Sequence, residues 1–147
     1  MNRLLVFTLI AFNACSPESP PAPSAPAAQI PASVATAPAP SADAILFPKL
    51  GWTDNKYAWE GKPFTGTTEE AWKKTGKLKL RYQIKDGVYH GLVEEWHENG
   101  NKKTHTSYEA GKHEGDNFYW NADGSLQAHK VWKNDTKISE TPGPKQP

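Results

Sequence analysis

The sequence predicts an all-β protein: an antiparallel meander of β-hairpin repeats, about three and a partial fourth, preceded by a disordered Pro/Ala-rich linker. Three observations carry this. Glycines and aromatics recur at one fixed pitch. One stretch alternates strictly between apolar and polar residues. No stretch after residue 60 carries a helical stripe.

The front of the chain is a different material. Residues 1–14 read as an export signal: Arg3 is its positive start, and Leu4 to Phe12 is apolar but shorter than the roughly 20 residues that span a bilayer. Small Ala14 precedes Cys15, the only cysteine, so an intramolecular disulfide and a cage of several thiolates are excluded. The run "AFNAC" resembles a bacterial lipoprotein signal cut before Cys15. That resemblance implies a diacylated Cys15, and Ser16 is similar to the residue that sorts lipoproteins to an outer membrane, facing the periplasm. A plain secretory signal, with Cys15 incidental or removed, is the alternative.

Residues 15–43 hold the lipidated cysteine and a linker that is nearly all Pro, Ala and Ser, without an aromatic. It has too little apolar area to offset chain entropy, and its prolines favour extended conformations; it reads as a semi-stiff tether. Residues 44–58 are apolar again, with Ile45, Leu46, Phe47, Leu50 and Trp52, and read as an N-terminal cap on the repeats. An exposed docking strip is the other reading.

Residues 59–140 form the repeat domain. Trp72, Trp96 and Trp120 are spaced by 24 and 24; so are Gly76, Gly100 and Gly124, and so are Ile84, Tyr108 and Trp132. Gly87 to Gly111 and Gly91 to Gly115 repeat the step, whereas Gly61 to Gly87 takes 26 and Gly66 to Gly91 takes 25, as if the first copy held insertions. "KLKLRYQI" places Leu78, Leu80, Tyr82 and Ile84 on one face of a strand. Asp86-Gly87, Asn99-Gly100 and Asp123-Gly124 supply tight-turn chemistry. Aromatics at equivalent positions are expected to stack into ladders across units. Register is open at Trp96. A two-residue turn pairs it with Lys103; a three-residue turn with a bulge groups it with Thr104 and Tyr108, and gathers the aromatics. Asp135 stands in the glycine column of a fourth unit, and residues 141–147 read as a flexible tail.

The stretches "DGVYHGLVEEWHENGNKK" and "AGKHEGDNFYWNADGSLQ" resemble the MORN-type repeat, in the variant of bacterial antitoxins of the YwqK kind, with Gly111-Lys112-His113-Glu114-Gly115 the best match. The resemblance spans about Trp59 to Glu140. It implies a repeat sheet used for binding rather than a conserved reaction.

Composition narrows the function. A formal net charge of +1 gives no footprint for nucleic acid. His105 and His129 share a column, and one reading has them hold a metal with Glu94 or Glu114, but none of the histidines has helical ligand spacing, and solvated strand faces explain them better. Glu70 and Glu94 share a column; adjacent Glu69-Glu70 and Glu94-Glu95 point to opposite faces and make no dyad. No catalytic residue, metal or cofactor is expected. The tryptophan columns read first as packing. If a surface is used, Tyr89, Tyr119, Trp120 and Trp132 are the rings to consider, with Lys102, Lys103 and Lys112 as a polar rim. The expected function is that of a non-enzymatic envelope lipoprotein whose sheet binds a partner protein in an antitoxin- or immunity-like role. The alternative is a structural envelope lipoprotein touching glycan or lipid headgroups.

Overall fold

The computed structural model describes residues 37–144. Residues 1–36, read from sequence as export signal, Cys15 and linker, and residues 145–147, read as tail, lie outside the described residues. Among the described residues the regular structure is β-strand, with one 3-10 turn at Phe47–Lys49. The strands are β1 (Ile45–Leu46), β2 (Gly51–Thr53), β3 (Lys56–Trp59), β4 (Lys62–Pro63), β5 (Gly66–Ala71), β6 (Leu78–Lys85), β7 (Val88–Trp96), β8 (Lys102–Glu109), β9 (Lys112–His113), β10 (Gly115–Trp120), β11 (Leu126–Lys133) and β12 (Thr136–Pro142). The main sheet runs β1-β5-β6-β7-β8-β10-β11-β12, with β9 beside β8. It is an antiparallel meander except at β1, which lies parallel to β5. β2, β3 and β4 make a separate three-stranded sheet.

Two kinds of turn alternate along the meander. At one end the loops have two residues, Asp86-Gly87, Ala110-Gly111 and Asn134-Asp135, between residues paired across the ladder, and the small sheet reverses at either end of β3 on two loops of the same kind, Asp54-Asn55 and Glu60-Gly61. All ten have positive φ, from +48° at Ala110 to +83° at Gly111. This mirror-image turn matches the right-handed twist of the flanking strands. These loops also dock on one another. The N–H groups of Gly87, Gly111 and Asp135 donate to the carbonyls of Phe64, Tyr89 and His113 at 2.7–3.0 Å.

At the other end the turns are wider. His97 N–H donates to Asn101 O and Gly100 N–H to His97 O; one repeat later, Asn121 donates to Ser125 O and Gly124 to Asn121 O. A side chain holds each turn from within: Asn99 Oδ1 accepts from Asn101 N–H at 3.0 Å, and Asp123 Oδ1 from Ser125 N–H at 2.8 Å. Thr75 Oγ1 stands in the same place, 3.4 Å from Lys77 N, but its turn, closed by Trp72 N–H to Lys77 O, has one more residue. Asn99-Gly100 and Asp123-Gly124 are therefore not two-residue hairpin loops. A side-chain acceptor does there what a second positive φ does at the far end.

The register at Trp96 is neither expected pairing. Trp96 lies opposite Lys102, and the ladder shifts between Glu95 and Trp96, so Lys103 is the extra residue. The same shift falls at Tyr119/Trp120, and at Glu70/Ala71 in the unit with the longer turn. That added residue brings Glu70 opposite Leu80 and Glu69 opposite Arg81. Glu69 is only 1 % exposed, and its carboxylate accepts from Arg81 Nε (2.6 Å), Ser41 N–H (2.6 Å) and Ser41 Oγ (3.1 Å). The buried charge is satisfied by an opposite charge and further donors.

Leu80, Tyr82, Ile84, Val93 and Phe64 form the main core. Ile45, Phe47, Leu50, Tyr57 and Trp59 pack against it, so most of the apolar residues before the repeats cover its first units, while Leu46 and Trp52 remain exposed. Residues 37–43, read from sequence as the end of the tether, also lie on the sheet. Ala37 is buried against Leu78 and Trp96, its N–H donates to Gly100 O at 2.9 Å, and Ser41 is held by Glu69. At the other terminus Thr141 and Pro142, read as tail, belong to β12, and Gly143 N–H donates to Gln127 O.

Candidate functional site

The strongest candidate is a stripe of rings at the end with the two-residue loops. Trp52 meets Tyr57 at 4.8 Å between centroids, Tyr57 meets Tyr89 at 5.4 Å, Tyr89 meets Tyr108 at 5.2 Å, Tyr108 meets His113 at 4.3 Å and His113 meets Trp132 at 5.0 Å. Local structure sets the order. Tyr89 and His113 each follow a two-residue loop and stand one repeat apart; Tyr108 and Trp132 each precede such a loop, with the same separation. Folding interleaves the two columns, so a ring from one always separates two from the other. The expected ladder is present at Tyr108 and Trp132, but equivalent rings are bridged by His113 rather than stacked directly. Five of the six rings are half-buried, and Trp52 at the end is 60 % exposed.

The stripe is polar at its seams and uncharged. The Tyr57 and Tyr89 hydroxyls share a 2.7 Å hydrogen bond. Ser107 N–H donates to Asn117 Oδ1 at 2.8 Å, which turns the Asn117 amide so that Nδ2 donates to His113 Nδ1 at 2.9 Å. His113 Nε2–H is then the donor to the Tyr108 hydroxyl at 3.0 Å. Burial lowers the His113 pKa, against the opposing pull of Asp135, and a proton on Nδ1 would face the Asn117 donor. Burial pushes the Tyr108 phenol up to about 12, and burial with the Tyr57 hydrogen bond pushes Tyr89 well above the usual range. Near neutral pH the stripe thus offers flat faces and hydroxyls, not net charge.

Of the rings and lysines suggested by sequence, the fold brings Tyr89, Trp132 and Lys112 to this end. Lys112 precedes His113 and lines an open recess of about 490 Å³ with Glu109, Glu114, Lys133 and Asn134. Tyr119 lies elsewhere, with Lys130 Nζ 5.3 Å from its ring centre. Lys102 is not a rim residue. It is 9 % exposed, pairs with Glu94 at 2.6 Å and sits 5.3 Å from the Trp96 ring centre. The bulge beside it turns the ammonium inward. Lys103 pairs with Glu95 at 2.8 Å and lines a separate cleft of about 290 Å³ with Trp72, Trp96, Lys79 and Tyr82. Among the described residues Trp72, Trp96 and Trp120 make no ring contact with one another. Trp72 Nε1 donates to Trp96 O, and Trp120 is buried on Phe118. The glycines at 66, 76, 87, 91, 100, 111, 115 and 124 all adopt positive φ.

His105 and His129 flank Phe118, at 6.4 and 4.4 Å between centroids, so its ring separates them. His105 bonds Glu94, His129 bonds Asp116 and Glu114 pairs with Lys133. Among the described residues no group of three or more His, Cys, Asp or Glu is placed to hold a metal. Sequence reasoning missed Tyr57 and His113 as stripe members and offered Trp52 only through the alternative, docking-strip reading of residues 44–58. His113 carried a signal, since it occupies the position of Tyr89 in the next repeat; Tyr57 precedes the periodic region and carried none.

Comparison with known proteins gives no further guide: no family model matches the chain, and no curated protein or solved structure matches it.

Proposed function

We propose that this chain is a non-enzymatic binding module of the cell envelope that holds a partner protein on the aromatic stripe. The observation that carries this reading is the continuous row of half-buried rings ending in a 60 % exposed Trp52. Tyr and Trp in clustered, partly desolvated positions are the side chains that dominate protein–protein affinity. The fixed-pitch recurrence of loops and interunit hydrogen bonds supports a MORN-like repeat scaffold, and with it an antitoxin- or immunity-like role. The signal and the lone Cys15 support an envelope location through a lipid anchor.

The test is affinity capture from detergent-solubilised envelopes with the full chain and with Trp52→Ala and Tyr89→Ala. A stoichiometric protein retained by the parent and lost with both variants is the expected result. Equal retention by all three refutes the stripe. Retention on peptidoglycan with no protein recovered favours the glycan-contact alternative.

A further inference from the structure

The opposite end of the sheet carries a second surface. Ala37 joins the folded domain there, on the turn that spans residues 97–101, with the signal and linker stretch 1–36 preceding it. Beside it, Lys77 Nζ donates to Asn99 O at 3.0 Å. The wide turn that ends at Lys77 also carries Lys73 and Lys74, both exposed, next to half-buried Trp72. Among the described residues none of these three lysines is within ion-pair distance of a carboxylate, whereas Lys79, Lys102 and Lys103 on the neighbouring strands are each neutralised by a glutamate. The acids at this end are Glu98 and Asp123, and Asp123 is occupied by Ser125. At the far end acids are interspersed with the lysines: Asp86 and Asp135 sit within the loops themselves, beside Lys85, Lys112 and Lys133.

We infer that this corner, Trp72 to Lys77 with the adjoining 97–101 turn, is a docking face for a bilayer surface with anionic headgroups. The chain that the sequence marks for a membrane joins the domain on the 97–101 turn, beside the turn that carries Lys73, Lys74 and Lys77. Each basic residue near an anionic surface contributes through the surface potential, over a Debye length of about 10 Å. Half-buried Trp72 adds an aromatic ring beside the lysines, with its Nε1–H donated to Trp96 O, and aromatic rings of this kind are enriched at the membrane interface. The domain then stands with this end to the bilayer and the aromatic stripe directed away. The inference rests on the envelope-anchor part of the proposed function and not on the protein partner, because its residues lie at the opposite end of the sheet from the stripe.

The test is flotation of the full chain with vesicles of phosphatidylcholine alone or mixed with phosphatidylglycerol. Lys73→Gln/Lys74→Gln is compared with Lys62→Gln/Lys112→Gln, which removes the same charge at the far end. With about fivefold per lysine, the first pair is expected to lose more than tenfold in affinity for the phosphatidylglycerol vesicles, with no change on phosphatidylcholine and a steep salt dependence in the parent. The far pair is expected to stay within about twofold of the parent. Equal loss in both pairs, no preference of the parent for phosphatidylglycerol, or equally tight binding to a soluble phosphorylated polymer each overturns the proposal.

Discussion

The two ends of the sheet solve the same problem with different chemistry. At the stripe end the chain reverses on paired positive φ and units dock through main-chain bonds from Gly87, Gly111 and Asp135, with acceptors from the preceding unit, Thr65 Oγ1 and Glu114, taking the Asp86 and Asn134 N–H groups. At the Trp72 end the turns are held by side chains: Asn99 and Asp123 brace their own turns, and Asn99 and Asn101 both donate to Ala122 O at 2.6 and 2.8 Å. One periodic sequence thus produces one end whose turns depend on paired positive φ and another that tolerates exchange among small polar groups. The stripe sits on the strict end, where ring positions are fixed to the backbone. The lysines sit on the permissive end.

The sharpest way to break the comparison is Gly87→Ala. A Cβ there would lie 2.6 Å from Lys56 Cβ and 2.9 Å from Tyr57 O, on a backbone with φ of +81°. Cap docking and conformation are hit together, and a loss of about 3 kcal/mol in urea unfolding is expected. Gly111→Ala isolates the second effect. Its nearest contact is Val88 Cβ at an ordinary 3.5 Å, so only the φ of +83° is penalised, at about 1 kcal/mol. Similar losses in the two variants would remove the docking role of Gly87.

The permissive end gives smaller effects. Asn99→Ala deletes an acceptor and a donor and should cost about 1 kcal/mol. Asn99→Asp keeps the acceptor, as Asp123 does, and should cost less than half of that in the same unfolding assay. An Asp variant as damaging as Ala would show that the bond to Ala122, not the brace, matters.

Acid titration separates two further regions. The His113 pKa is lowered on folding, so the neutral form stabilises the fold, fully so above the unfolded value near 6.5; this contribution declines as pH falls below it. Glu94 is held at about 2, chiefly by its hydrogen bond with His105, which with Lys102 outweighs burial. Its contribution is complete above the unfolded carboxyl value and is lost as pH falls from about 4.5 to about 2. Thermal melts across pH should show two separate declines. His113→Gln should flatten the upper decline and Glu94→Gln the lower. If either variant leaves its own interval unchanged, the assignment of that interval is wrong.

Much of the architecture was legible in the residues. The pitch, the alternation of Leu78 to Ile84 and the place of Asp135 in the glycine column all appear in the fold. Their signals are local: a two-residue period, a positive φ, a fixed spacing. Register was not legible. One extra residue changes the pairing parity of a strand, and whether it is absorbed in a turn or a bulge depends on packing across three strands. That is why Lys102 turned inward and Glu69 came to face Arg81. The stripe was half legible, because its two columns were periodic but their interleaving was set by which loop each ring adjoins.

β12 is exposed along its whole length, and a naked final strand invites further pairing. Its ladder is broken opposite Val131/Trp132, and it bears Lys137 and ends at Pro142. Those three features make a poor template for a neighbour's strand. This edge thus carries its own brake on strand addition, written into a bulge, a lysine and a proline rather than into a covering element.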